Sequence, residues 1–514
     1  MKRKTNKLHR GAIICALLAA CYLYSCKSKT TESTSPNIIV FLVDDMGLMD
    51  SSVPFLTDTK GNPVSYASNE FYKTPHLESL SKQGIRFSNF YAHSVCSPSR
   101  TSILTGQNAL RHGVTNWIRS EKNNRTAHGP SDWNWKGLTK TSVTLPRILQ
   151  NQGYKTIHVG KAHFGPFNSE GADPRNLGFD VNIAGSSIGQ PGSYLGTEGF
   201  GHIAGNKKRA VPGLEKYHNK TIFLSEALTQ EANAAISAAK EEGKPFFLHM
   251  SHYAVHAPFY SDPRFAKDYK DSERSEKAKA YATLIAGIDK SLGDILQHVR
   301  TLGMGENTLI LFLGDNGSDA PLPIENNYSS SAPLKGKKGN HWEGGMRVPF
   351  IASWISPNDE HPAQRKTPIT QNVIQQQQGT ILDLFATLSQ VANTPVPEDH
   401  IDDGFPLQKQ FTGDVNTKRE EIFINHFPHG NHRSNYFTSM VASDWKISYH
   451  YPIKEAPRYE LFHLKTDPFE TTNLVATHPE KVQKMMKLLI EEMKSKKANY
   501  PEIDGKELKP IVPH

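Results

Sequence analysis

At 514 residues the chain is too long for one small core and long enough to bury a sizeable one, which points to a large domain with an appendage or to two or three domains. Five cations of the formal +8 (Lys2, Arg3, Lys4, Lys7 and Arg10) fall in the first 25 residues and leave +3 for the rest, so the charge does not indicate a nucleic-acid partner. Of the four cysteines, Cys15, Cys21 and Cys26 also belong to this leader; Cys96 stands alone in the body, where it can form no internal disulfide and is either a small buried hydrophobe or chemically employed.

In chain order, the basic MKRKTNKLHR, the apolar GAIICALLAACYLYSC and the polar residues from Lys27 onward read as a secretory signal over residues 1–25, too short to span a bilayer comfortably. Leu18-Ala19-Ala20-Cys21 and Leu23-Tyr24-Ser25-Cys26 both resemble the lipobox at which bacterial lipoproteins are cleaved and acylated. Cys26 is the better candidate, because cleavage there leaves a hydrophilic tether over 26–36, whereas cleavage before Cys21 strands YLYS outside the core. The expected location is therefore the periplasm or the outer membrane of a Gram-negative bacterium, with membrane contact only through a lipid anchor; a soluble secreted protein is the alternative.

Four apolar runs end abruptly in polar residues. Asn37 to Val43 ends in Asp44-Asp45, Lys155 to Val159 leads to Lys161-Ala162-His163, Pro245 to Met250 is followed by His252 and His256, and Thr308 to Leu313 ends in Gly314-Asp315-Asn316. Such runs read as buried parallel strands. Helical stretches lie between them at Thr74 to Gln83, Leu145 to Gln152 and Ser225 to Lys240, which makes an α/β fold with a large, mainly parallel sheet flanked by helices. In open α/β sheets the ligand sits beyond the carboxyl ends of the strands, and all four polar clusters fall there. The pattern changes after about residue 396: the short runs Glu421 to Asn425, Phe437 to Ala442, Trp445 to Tyr451 and Tyr459 to His463 suit a small antiparallel sheet, followed by a helix near Pro479 to Lys496. The expected division is a catalytic domain over 37–395 and a C-terminal α+β subdomain over 396–514. The glutamine run Gln375 to Gln378 reads as an exposed helix start.

Asp44, Asp45, Asp315 and Asn316 offer only oxygen ligands, a set that suits Ca2+, or Mg2+, better than Zn2+. Arg100, Lys161, Lys338, His163 and His256 add positive or protonatable groups, and a metal beside several cations implies an anionic substrate on which negative charge develops.

The stretch SVCSPSRTSILTG, with Cys96, Pro98, Ser99, Arg100, Thr105 and Gly106 in their signature places, resembles the type I, formylglycine-dependent sulfatases of the alkaline phosphatase superfamily. NIIVFLVDDMG, VGKAHFG, HAPF, LGDNGS, LKGKKGNHWEGGMRVPF and YELFHLKTDPFETTNL follow in that family's order between residue 37 and about 474. The resemblance implies an alkaline phosphatase-like sheet and the release of inorganic sulfate from an ester. It implies that Cys96 is converted to Cα-formylglycine by a formylglycine-generating or anaerobic sulfatase-maturating enzyme, on a helix beginning near Pro98. It implies Asp44, Asp45, Asp315 and Asn316 around Ca2+, Arg100 steadying the formylglycine, His163 taking a proton from its hydrate, Lys161 and Lys338 gripping sulfate, and His256 protonating the leaving alkoxide. Lys337 and Lys335 compete with Lys338 for its place, and Phe259 stands where many relatives carry a second histidine.

Lipoprotein export and an arylsulfatase-like body resemble those of the sulfatases that Bacteroidetes-type bacteria use on sulfated glycans, and that resemblance implies a sugar O-sulfate rather than a small aryl sulfate, with His112, Trp117, His426, His429 and Arg433 as candidate sugar contacts. A formylglycine-dependent phosphonate monoester or phosphodiester hydrolase and a noncatalytic glycan-binding lipoprotein are the alternatives. The sequence leaves the sugar and its sulfated carbon open.

Overall fold

The computed structural model describes residues 35–322, 330–432 and 434–513. The leader, both lipobox cysteines, nearly all of the tether and Arg433 lie outside the described residues. The main sheet has eight strands: β1 Asn37–Val43, β2 Ile85–Phe87, β3 Lys155–Gly160, β4 Val181–Ile183, β5 Phe246–His252, β6 Thr308–Gly314, β7 Phe350–Trp354 and β8 Val373–Gln375. Their spatial order is β4-β3-β5-β1-β6-β7-β2-β8. Every pairing is parallel except the two made by β7.

β1 has no polar face. Ile39, Phe41 and Val43 enter one core, Ile38, Val40 and Leu42 the other, as expected of a central strand covered on both sides. The first core is closed by the helices Pro75–Gln83, Leu224–Glu241 and Glu276–Thr301, the last of which buries Tyr281, Leu284, Ile285, Ile288 and Leu292 along one helical stripe. The second is closed by Cys96–Thr105, Leu145–Asn151 and Asp383–Val391 through Ile103, Leu104, Leu149, Leu384 and Leu388. The registers pair Val43 with both His252 and Gly314, and Gly160 with Ser251. Four central strands therefore stop at one level, and the polar clusters that follow them converge.

A second sheet, β9 Ile422–Phe427, β10 Phe437–Ala442, β11 Trp445–His450 and β12 Tyr459–His463, is antiparallel throughout. Helix Pro479–Ser495 lays Val482, Met485, Met486, Leu489 and Met493 across it, a one-face pattern at helical spacing. The sheet is joined to the main body by apolar and ionic contacts. Phe423 and Val441 enter the second core. Lys446 of β11, wholly buried, lies 3.1 Å from Glu343 and 2.8 Å from Glu470. Glu460 of β12 meets His341 and His450 through the same oxygen, at 2.6 and 2.8 Å.

Two expectations need correction. The helix carrying Cys96 begins at Cys96 itself, with Val95 as its extended N-cap, rather than near Pro98. Gln375 to Gln378 do not start a helix: Gln375 ends β8, and Gln375, Gln377 and Gln378 are buried. The amides of Gln375 and Gln377 serve backbone groups of the 410–416 segment, Gln375 donating to the Gln410 and Asp414 carbonyls and Gln377 to that of Asn416.

His426 illustrates how burial sets the response to acid. Its Nε2 lies 2.8 Å from the Asn499 carbonyl and its Nδ1 2.7 Å from Thr438 Oγ1, and burial pushes it down to about 4. An unfolded histidine titrates near 6.5, so the unfolded chain takes up this proton first; the stabilisation is complete above about pH 6.5 and is lost as pH falls toward 4. His426→Gln should therefore lose about 2 kcal/mol less stability than the parent between pH 7.5 and 5. Urea unfolding at the two pH values checks this, and parallel losses in both proteins contradict it.

Candidate active site

The site is assembled where β1, β3, β5 and β6 end. Asp45 and His163 both adopt left-handed backbone, each at φ 61°, a conformation non-glycine residues hold only when their surroundings require it. Gly160, at φ 100°, ends β3 so close to β5 that a Cβ would lie 1.9 Å from the Ser251 carbonyl oxygen. Only glycine permits this approach, which delivers Lys161 and His163 to the centre.

Asp44, Asp45 and Asp315 lie within ligand distance of one another and are buried. Lys161 Nζ is 2.7 Å from Asp44, Lys338 Nζ 2.6 Å from Asp45, and Arg100 Nε 2.8 Å from Asp315. Three fixed cations thus oppose three carboxylates. Burial pushes Asp44 up to about 8, with Asp315 and Asp45 adding repulsion that Lys161 and Arg100 only partly offset. Burial acts the same way on Asp45, but Lys338, His256 and Lys161 outweigh it and hold that carboxyl low. Asp44 Oδ1 and Asn316 Oδ1 are buried acceptors without a hydrogen-bond partner. Carboxylate oxygens within ligand distance of one another and two orphaned oxygens fit a hard divalent cation.

Cys96 occupies the first turn of its helix, 3 % exposed, with Sγ 3.4 Å from His163 Nδ1. His163 Nε2 donates to the Ile118 carbonyl at 2.6 Å, which leaves Nδ1 as the acceptor facing position 96. Burial and the Lys161 charge keep this imidazole neutral. Burial also pushes the Cys96 thiol up, against the charges of Lys161 and Lys338. His256 is the most open of the group: its Nδ1 faces the Ala257 carbonyl at 2.8 Å and its Nε2 faces Asp45 at 3.7 Å. Burial, together with Lys338, pushes it down to about 4, and Asp45 acts against that shift.

The structure thus gathers Asp44, Asp45, Cys96, Arg100, Lys161, His163, His256, Asp315, Asn316 and Lys338 in one place. It also separates the three lysine candidates: Lys338 reaches Asp45, whereas Lys337 pairs with Asp319 at 3.1 Å and Lys335 lies 4.5 Å over the Trp342 ring. Arg100 is turned toward Asp315, the Lys161 carbonyl and Ser251 Oγ, so it orients the carboxylate set. Sequence reasoning missed two residues of the frame. Ser251 Oγ bridges Arg100 and the Lys161 carbonyl, and Tyr194 Oη donates to the carbonyls of Tyr253 and His256 and fixes the loop that carries His256. Ser251 immediately follows the β5 apolar run, a place where a small polar residue could have been noticed; Tyr194 carries no such signal.

The candidate sugar contacts need correction. His112 spends its ring on Ser102 Oγ and the Val114 amide, and His426 spends both nitrogens on Thr438 and Asn499. His429 is fully buried against Trp133, with Nε2 2.9 Å from Thr115 Oγ1. His112 and His426 have both ring nitrogens occupied, and His429, whose Nδ1 has no hydrogen-bond partner, is 0 % exposed, so none of the three presents an edge to a sugar. Trp117 is half-buried, packed on Val95, Phe427 and Phe437. Arg433 lies outside the described residues.

The chain is 27% identical over 547 aligned residues to the N-acetylgalactosamine-6-O-sulfatase of Bacteroides thetaiotaomicron, covering 92% of this chain and 96% of that one. It is 31% identical over 389 residues to human N-acetylgalactosamine-6-sulfatase, covering 72% of this chain and 65% of the human enzyme. The crystal structure of the PsFucS1 sulfatase from Pseudoalteromonas sp. superposes with a TM-score of 0.65 at 22% identity, covering 96% of each chain, which shows a shared fold. The Sulfatase family model matches residues 36–394, from the start of β1 to beyond the last helix of the main sheet, and with most of its length inside that match the chain belongs to the sulfatases, enzymes that hydrolyse sulfuric esters.

Proposed function

We propose that the protein releases inorganic sulfate from a sulfated carbohydrate, using a formylglycine made from Cys96 and a calcium ion, with magnesium as the alternative. The observation that carries this reading is the junction of Cys96 with an unprotonated His163 Nδ1 on one side and a buried carboxylate set balanced by Lys161, Lys338 and Arg100 on the other. A thiol held protonated by burial is a poor nucleophile, which supports conversion of the side chain. A formylglycine hydrate supplies two oxygens on one carbon, one to attack sulfur and one to expel sulfate as the aldehyde re-forms. A divalent cation held by Asp44, Asp45, Asp315 and Asn316 supplies Lewis-acid polarisation of the sulfate oxygens.

The chain's own residues then have separable tasks. His163 Nδ1, fixed as an acceptor by the Ile118 carbonyl, takes the proton from position 96. Lys161 and Lys338 stand on opposite carboxylates and face an anionic group arriving between them. His256, partly open to solvent, is placed to protonate the departing sugar oxygen. An arriving sulfate ester offsets the lysine charges that push this imidazole down, so it favours the protonated, acid form. The N-acetylgalactosamine-6-sulfatases among the relatives support a carbohydrate substrate and make 6-sulfated N-acetylgalactosamine the first compound to test. Export through the 1–25 signal, lipidation at Cys26 and modification of Cys96 by a maturation enzyme complete the proposal.

Two outcomes are expected. Cys96→Ala should lower sulfate release from a panel of sulfated sugars by at least about 10^3-fold, with mass spectrometry showing formylglycine at position 96 only in the parent; undiminished turnover in the variant defeats the mechanism. A preference for aryl phosphonate over every sulfate would move the activity to phosphonate hydrolysis. Separately, Ca2+ added to chelator-treated protein should stabilise it, by about 2.7 kcal/mol at a hundred times the dissociation constant, and Asp315→Ala should abolish that gain. Thermal melts without substrate read this out, and an equal gain in the variant places the ion elsewhere.

A further inference from the structure

Behind the loop that carries Ser186 to Gly189 lies a pocket of about 320 Å3 that the proposed chemistry does not use. One side of the loop faces the catalytic histidine: the Ser186 carbonyl accepts from the His163 amide at 3.0 Å, and Gly189 sits so close that a Cβ there would be 2.8 Å from His163 Cε1. The pocket is lined by Ser186 and Ile188 of the same loop, by Phe167 and Pro212, and by Lys207 and Lys208. It therefore shares the Ser186–Gly189 loop with the reacting centre.

Its chemistry is consistent. Lys207 and Lys208 are exposed and, among the described residues, neither has a carboxylate partner, whereas the adjacent Arg209 is neutralised by Glu121 at 2.5 Å. Their short 3-10 turn is held in place: Asn206 Oδ1 accepts from the Lys208 amide at 3.2 Å, and the Arg209 carbonyl accepts from the Gly192 amide at 2.6 Å. Phe167, 42 % exposed, supplies an aromatic face of the kind on which a sugar ring stacks, and its amide is tied to the Ser120 carbonyl at 2.8 Å. Two unpaired cations beside an aromatic surface form a receptor for an anionic sugar.

Resting on the reading above, we infer that this pocket is a subsite for the sugar next to the one that loses its sulfate. Lys207 and Lys208 bind a sulfate or carboxylate on that neighbour, so the preferred substrate is a polyanionic oligosaccharide rather than a monosulfated sugar.

The test uses the full matured chain and three disaccharides that share the cleavable sulfate. Their second sugar is neutral, carries a carboxylate, or carries a second sulfate. Lys207→Ala/Lys208→Ala should reduce kcat/KM at least tenfold on one or both charged disaccharides, through KM. It should leave the neutral disaccharide and a monosulfated sugar within twofold. Lys207→Arg/Lys208→Arg should restore most of the loss, and the charged preference should narrow as salt rises. Whichever charged disaccharide is affected names the anion. Equal losses on all substrates, or none on either charged disaccharide, overturns the subsite. If the parent releases no sulfate from any of them, the proposed function fails. The subsite is then judged by calorimetric binding of the charged disaccharides, where equal affinity, or no binding, in parent and double alanine variant overturns it and weaker binding by the variant upholds it.

Discussion

The meeting of three buried acids with three buried cations is the constraint on which the rest depends. Asp44, Asp45 and Asp315 cannot share one dry space unless their repulsion is met locally, and Arg100, Lys161 and Lys338 come from three separate segments to meet it. Each cation is also a structural tie. Arg100 binds the Cys96 helix to the end of β6, Lys161 binds the end of β3 to that of β1, and Lys338 draws the 331–346 loop over the top. The level ending of four strands, the glycine at position 160 and the left-handed Asp45 and His163 are what this arrangement requires of the backbone. A divalent cation would leave the centre with surplus positive charge, a suitable reception for a sulfate ester.

Much of this was legible because a strand covered on both faces is written as a continuous apolar run that ends where the sheet ends. The runs at 37, 155, 246 and 308 carry that signal, and the residues just beyond them are the site. Helix Glu276–Thr301, the longest element described, is legible too, through the stripe of Tyr281, Leu284, Ile285, Ile288, Leu292 and Leu296 that it buries at helical spacing. β2 and β4 have three residues each, too few for any period to register.

The misread sugar contacts share one cause. A histidine near a motif advertises chemistry, but the groups that occupy it are distant in sequence: Asn499 for His426, Thr115 for His429. Lys335, Lys337 and Lys338 are likewise separated only by what each side chain meets, the Trp342 ring, Asp319 and Asp45 respectively. Gln375 and Gln377, in a run that reads as solvated, are buried, and backbone groups some forty residues later take up their amides.

The seam between the two sheets has a consequence for the order in which the molecule can be finished. The Ser94 amide, two residues before Cys96, is held by Asn425 Oδ1, and Asn108, just after the Cys96 helix, donates to the Ile424 carbonyl. All ten residues of that helix are buried, yet part of what encloses them lies more than 300 positions downstream. A chain emerging from the ribosome at about 5 to 20 residues per second therefore carries position 96 for something like half a minute before β9 exists to hold the two ends of its helix. Closure is a kinetic deadline: whatever must reach that side chain has the interval of synthesis, or of passage as an unfolded chain, in which to act.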